Sequence, residues 1–128
     1  YDNVLPFYEK LILDAYNANP SSMAAAIANF IQLDSTAKMA VLGDMFELGS
    51  ESLAEHKKII ELLVSESQIE IYFVGKDFFA NKITSKNMHF YENYELFALD
   101  FKKQTVTDNT ILIKGSRGMA LERTLEMI

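Results

Sequence analysis

The sequence contains no cysteine, so it can form neither a disulfide framework nor a thiolate metal site, a composition that fits a reducing compartment without requiring one. Tryptophan is also absent, and two prolines and five glycines among 128 residues are too few for a collagen-like or linker-rich chain. Long apolar runs are missing: none approaches the roughly 20 residues that cross a bilayer. Residues 1–10 lack the basic-then-apolar order of a secretory leader, and a cytoplasmic protein is expected. Positive charge is in deficit, with 12 Lys and Arg against 18 Asp and Glu and a net charge of -6. A broad nucleic-acid surface needs the opposite surplus on one face. It is excluded, although a local cationic pocket is not.

What is present suits one packed domain spanning residues 1–128. Hydrophobic residues make up 49% of the chain, and nine Phe and six Tyr supply large core side chains. Short β-rich runs alternate with amphipathic segments, the order expected of a mostly parallel sheet covered by helices. The expected fold is therefore α/β: a Rossmann-like, three-layer domain with about five or six strands and helices on both faces. Strands are predicted at 10–16, 38–43, 70–75, 88–91 and 110–114, with a further edge strand at 4–8, where Pro6 would cost no ladder hydrogen bond. Met23, Ile27, Phe30 and Ile31 share one helical face, and Leu53, His56, Ile60, Leu63 and Val64 share another. Weaker helical patterns lie at 78–83, at Tyr94, Phe97 and Phe101, and at Leu121, Leu125 and Ile128.

In a parallel sheet joined by right-handed crossovers, every strand-to-helix loop falls at the carboxyl edge, where ligands bind. Four such loops are predicted, and they hold most of the polar and glycine residues that look suited to chemistry. The first, Asp14-Ala15-Tyr16-Asn17-Ala18-Asn19-Pro20, offers a carboxylate and two amides beside a helix start, a set suited to sugar hydroxyls and phosphate oxygens. Its plainer reading is that Asn19 caps the helix and Pro20 fills the first turn. The second, from Gly43 to Gly49, carries Asp44 and Glu47, which suit a substrate ammonium, a metal-bound water or simply a solvated turn. The third is Gly75-Lys76-Asp77. The fourth, Lys114-Gly115-Ser116-Arg117-Gly118, is basic in an acidic chain and reads as an anion pocket, or as a glycine turn with two solvated cations.

No phosphate loop with consecutive Gly-Lys-Ser/Thr occurs. His56, on an apolar stripe, reads as a hydrogen-bonded core histidine or a weak substrate contact. His89 has no identifiable partner, so these two histidines do not argue for a metal site.

Taken together, the first loop, Leu42-Gly43-Asp44-Met45 with Glu47-Leu48-Gly49, and Ile113-Lys114-Gly115-Ser116-Arg117-Gly118-Met119 resemble the carboxy-terminal domain of the Mur ligases. The motifs occur in family order and span nearly the whole chain from Asp14 onward. The resemblance is nearest to the ligase that adds D-alanyl-D-alanine to UDP-N-acetylmuramoyl-tripeptide. It departs at Leu13 and Ser21, where the family often carries acids, and residues before Leu11 match no family motif.

The resemblance implies an enzyme of three domains: one for the UDP-linked peptide, a central ATPase, and a third that closes over both. This chain would be the third, and inactive by itself. Its partners would be ATP, D-alanyl-D-alanine, UDP-N-acetylmuramoyl-tripeptide and its own two other domains, with neither nucleic acid nor membrane. ATP and Mg²⁺ would activate the peptide carboxylate as an acyl phosphate, with Mg²⁺ held mainly by the central domain. Carried over by residue, the resemblance puts Asp14, Asn17 and Asn19 on the nucleotide side. It puts Lys114, Ser116 and Arg117 at the reacting centre or the dipeptide carboxylate as positioning residues. Asp44, Glu47 and His56 fall at matching positions without a clear role. The alternatives are a phosphoacceptor receiver-like module using Asp44 and Lys114, and a non-catalytic nucleotide-binding module.

Overall fold

The computed structural model describes residues 8–15, 17–102 and 109–128. Five strands, β1 (Tyr8–Asp14), β2 (Lys38–Gly43), β3 (Ile69–Val74), β4 (Met88–Tyr91) and β5 (Asn109–Lys114), form one sheet in the order β1-β5-β2-β3-β4. All four pairings are parallel. The three inner strands are buried along almost their whole length, as expected of strands covered on both faces.

Alternation along the strands splits the core in two. Ala40 and Leu42 of β2 face a layer built from α1 (Pro20–Gln32), α2 (Ser52–Leu63) and α3 (Lys76–Ala80), whose Met23, Ile27, Phe30, Ile60, Leu63 and Phe78 are buried there. Met39 and Val41 face the opposite layer, where α4 (Tyr94–Phe101) contributes Phe97 and Phe101 and the carboxy-terminal segment contributes Leu121. The chain steps from β1 past an open place to β2, then to β3 and β4 with helices on one face. It returns through α4 on the other face, and β5 fills the place between β1 and β2. Reversal of direction with change of face is the pattern that right-handed crossovers produce. It also sends the loops after β5 and after its two neighbours to opposite sides, which opens a crevice at the carboxyl edge.

Helix starts follow local chemistry where a cap is adjacent. The Asn19 side chain accepts the Ser22 N–H at 2.9 Å and the Ser22 hydroxyl faces the Asn19 N–H at 3.1 Å, a reciprocal capping box with Pro20 in the first turn. Asn93 caps α4 through the Leu96 N–H.

Several expectations are corrected. Leu53 and Val64 do not share the buried stripe of α2: they are 53% and 57% exposed, one in the first turn and the other at the cap, where a helix end is not enclosed from both sides. Ile59 is buried in their stead beside His56, Ile60 and Leu63. The helix expected over 78–83 starts at Lys76 and stops at Ala80, leaving Ile83 exposed. The segment carrying Leu121, Leu125 and Ile128 is 3₁₀ rather than α-helical, and Ala120 at φ 51° separates it from a short 3₁₀ turn at Arg117–Met119. β1 ends at Asp14 rather than at residue 16. Tyr16 lies outside the described residues, as do residues 4–7, including Pro6, of the possible extra strand. No helix among the described residues is long and apolar enough to cross a membrane.

Candidate functional site

The ends of β1 and β5 are in register, Asp14 opposite Lys114. Lys114 is 2% exposed, which its charge tolerates because it is paired. Its Nζ donates to the Asp14 carboxylate at 2.6 Å and to the Asn17 carbonyl at 2.9 Å. The lysine thus holds the first loop down onto the last strand instead of reaching into solvent.

Ser116 joins three loops at once. Its N–H donates to the Asp44 carbonyl at 3.1 Å, its hydroxyl donates to the Ala18 carbonyl at 3.4 Å, and the Phe46 N–H donates to its Oγ at 2.7 Å. Around this junction lies an open cavity of about 320 Å³ lined by Asn17, Phe46, Glu47, Ser116, Arg117 and Gly118, with Ala18 behind. Arg117 is exposed, and its guanidinium has no hydrogen-bond or ion-pair partner among the described residues. Glu47 is exposed on a left-handed turn, φ 65°. Asn17, Glu47, Ser116 and Arg117 are therefore brought together, with Asp14 and Lys114 beneath them. Asn19 stands at the same edge, but its side-chain oxygen is committed to the start of α1.

Asp44 and His56 are placed differently. Asp44 is 2% exposed, and its two carboxylate oxygens accept the Asp77 N–H at 2.9 Å and the Phe78 N–H at 3.0 Å, capping α3 from 33 residues away. Burial raises its pKa above the ordinary carboxyl value, opposed by those two amides. Gly75, at φ 133°, is required beside it, since a Cβ there would lie 2.3 Å from the Asp44 carboxyl carbon. His56 is fully buried, so it reaches the cavity only through the backbone: the Met45 N–H donates to its Nε2 at 2.9 Å.

Asp44, His56 and Asp77 lie close enough to share a metal ion. Most of their atoms already have hydrogen-bond partners, however: both Asp44 oxygens accept backbone amides, Asp77 Oδ2 accepts the Ser52 hydroxyl at 2.6 Å, and both ring nitrogens of His56 are paired. Mg²⁺ prefers an all-oxygen shell, and this trio does not fit it. The receiver-like alternative, which needs Asp44 open to solvent, fails on the same burial.

Sequence reasoning passed over a second cavity of about 340 Å³ on the β3–β4 side, lined by Phe46, Gly75, Lys76, Glu92, Tyr94 and Arg123 among others. Phe46 and Gly118 border both cavities. A Cβ on Gly118 would meet the Phe46 ring at 2.5 Å, a contact between residues 72 apart that no local pattern announces. Arg123, stacked over Tyr94 at 3.8 Å, lies within a weakly helical segment and carries no motif of its own.

The sequence signature of the family described as "Mur ligase, glutamate ligase domain" matches residues 6–117. The chain belongs to the Mur ligase family. Its Mur ligase relatives include the UDP-N-acetylmuramoyl-tripeptide--D-alanyl-D-alanine ligases of Rickettsia prowazekii, 32% identical over 91% of this chain, and of Bacillus subtilis, 36% identical over 91%. Among solved Mur ligases, MurF of Thermotoga maritima in complex with ADP superposes with a TM-score of 0.70 at 29% identity, covering 91% of this chain and 27% of that one. A MurF structure from Acinetobacter baumannii gives 0.71 at 31%, with the same coverage. The chain spans about 27% of the length of the two ligase sequences.

Proposed function

We propose that this chain is the carboxy-terminal domain of the ATP-dependent ligase that joins D-alanyl-D-alanine to UDP-N-acetylmuramoyl-tripeptide in peptidoglycan synthesis, and that it acts in the cytoplasm beside its own amino-terminal and central domains. The observation that carries the reading is the meeting of the three family motifs around one cavity that presents the Arg117 guanidinium, which has no partner among the described residues. The names of its relatives support the same substrates.

In this reading the peptide carboxylate is activated by ATP as an acyl phosphate. The dipeptide amine attacks it, the tetrahedral intermediate collapses and phosphate leaves. None of these bonds is made by a residue of this chain. Its contribution is placement, which lowers a barrier by several kcal/mol when it fixes the attacking amine near the acyl carbon. Arg117 takes the dipeptide carboxylate through two parallel hydrogen bonds. Ser116 and Lys114 hold the loops that frame it, Glu47 borders the amine, and Asp14, Asn17 and Asn19 form the nucleotide side. Mg²⁺ belongs to the other domains, because the Asp44, His56 and Asp77 group of this one includes an imidazole and its Asp44 and His56 atoms are already hydrogen-bonded.

The test is D-alanyl-D-alanine addition by the full-length protein with ATP, compared with Arg117→Ala and with the isolated 128-residue chain. Activity in the full-length enzyme, a steep loss in the variant and none in the isolated chain are expected. An unaffected variant would contradict the role given to Arg117.

A further inference from the structure

His56 lines neither of the two cavities described above, yet it stands at the root of the loop that borders both. Its two ring nitrogens have unlike partners. Nδ1 lies 2.7 Å from the Ser52 carbonyl, which can only accept, so Nδ1 carries the proton. Nε2 lies 2.9 Å from the Met45 N–H, which can only donate, so Nε2 is bare. Those two partners together admit one species, the neutral Nδ1–H imidazole. The Asp44 carboxylate stands 3.7 Å from Nε2, beyond a hydrogen bond, and its Oδ1 already accepts the Phe78 N–H. Phe78 holds the ring edge-on at 4.6 Å.

From Met45 the chain of bonds continues to the cavity wall without a gap. The next amide, Phe46 N–H, donates to Ser116 Oγ, and that hydroxyl donates to the Ala18 carbonyl. We propose that His56 is a positioning residue: as a neutral Nδ1–H imidazole it anchors the Met45 amide to α2, and through Phe46 and Ser116 it sets where the substrate-facing loops stand. The effect on catalysis rests on the ligase reading above; the tautomer and the anchored amide do not. Glutamine places a side-chain oxygen near the position of Nε2 and so retains the acceptor. Phenylalanine retains the ring and its contact with Phe78 but offers no acceptor.

Two measurements decide this. In full-length protein labelled with ¹⁵N only in its histidine rings, with His56 assigned by the signal missing from His56→Gln, the spectrum at neutral pH should show a protonated Nδ1 and a bare Nε2. The Nε2–H tautomer or a cationic ring would overturn the proposal. In the ligation assay, His56→Phe should raise the D-alanyl-D-alanine KM by about tenfold or more with a smaller effect on kcat, and His56→Gln should bring it back to within about threefold of the parent. An unchanged KM in His56→Phe, or an equal rise in both variants, would refute the positioning role. If the parent enzyme does not use D-alanyl-D-alanine at all, the ligase reading falls separately. Hydrogen exchange at Met45, slow in the parent and His56→Gln and fast in His56→Phe, then still decides the anchor, and equal exchange in all three would end it.

Discussion

Two rims of the same sheet edge carry charged groups in strand-end loops, and they differ in how those groups are satisfied. At the β2–β3 rim, Asp44, His56, Ser52 and Asp77 bond to one another or to nearby backbone, and Asp44 and His56 are almost wholly buried. At the β1–β5 rim, Lys114 is likewise buried and paired with Asp14, but three residues later Arg117 projects into a cavity with no partner among the described residues. A satisfied polar cluster fixes backbone; an unsatisfied cation at a cavity mouth is available to a ligand. The first rim thus sets geometry, and the second presents chemistry.

That contrast can be broken experimentally, and the largest effect should come from the closed rim. Gly75→Ala combines a disfavoured φ with a Cβ lodged against the Asp44 carboxylate, and should cost about 3 kcal/mol or more in urea denaturation. Arg117→Ala should reverse the profile: kcat/KM for D-alanyl-D-alanine in the full-length enzyme falls about 100-fold, while stability changes by no more than about 0.5 kcal/mol. Lys114→Met lies between the two. It leaves the Asn17 carbonyl and a half-exposed Asp14 without their cation, and should lower stability by about 2 kcal/mol with a parallel loss of activity.

The smallest effect concerns pH. Burial raises the Asp44 pKa above 3.8, so the folded protein holds that proton more tightly than the unfolded chain. The stability this adds is complete below the unfolded value and is lost as pH rises through the raised one. Asp44→Asn should flatten that limb of a plot of urea midpoint against pH, and a limb parallel to the parent's would contradict the assignment.

The sheet was legible because its inner strands are apolar runs bounded by glycine and polar turns, and the β2 and β4 boundaries were read to the residue. α1 was legible because its cap, Asn19-Pro20, is adjacent in sequence. α3 was misplaced for the converse reason: its cap is the Asp44 carboxylate, brought from another strand end, and no window around residues 76–80 contains it. The same logic divides the site. Placement at the carboxyl edge followed from the alternation of strands and helices and the crossover hand, so one shared rim for Asn17, Ser116 and Arg117 was expected. Which of Asp44, Glu47, Lys114 and Arg117 would be buried and which open was not, because burial depends on partners that tertiary contact supplies.

Hydrogen exchange of the full-length enzyme, free and closed on a non-hydrolysable ATP analogue with D-alanyl-D-alanine, addresses the division of labour most directly. The account predicts slower exchange at residues 17–18, 46–47 and 116–118, and no change at Ala24 and Leu62, which line a separate groove between α1 and α2. Slowing in that groove, with the β1–β5 rim unaffected, would contradict it.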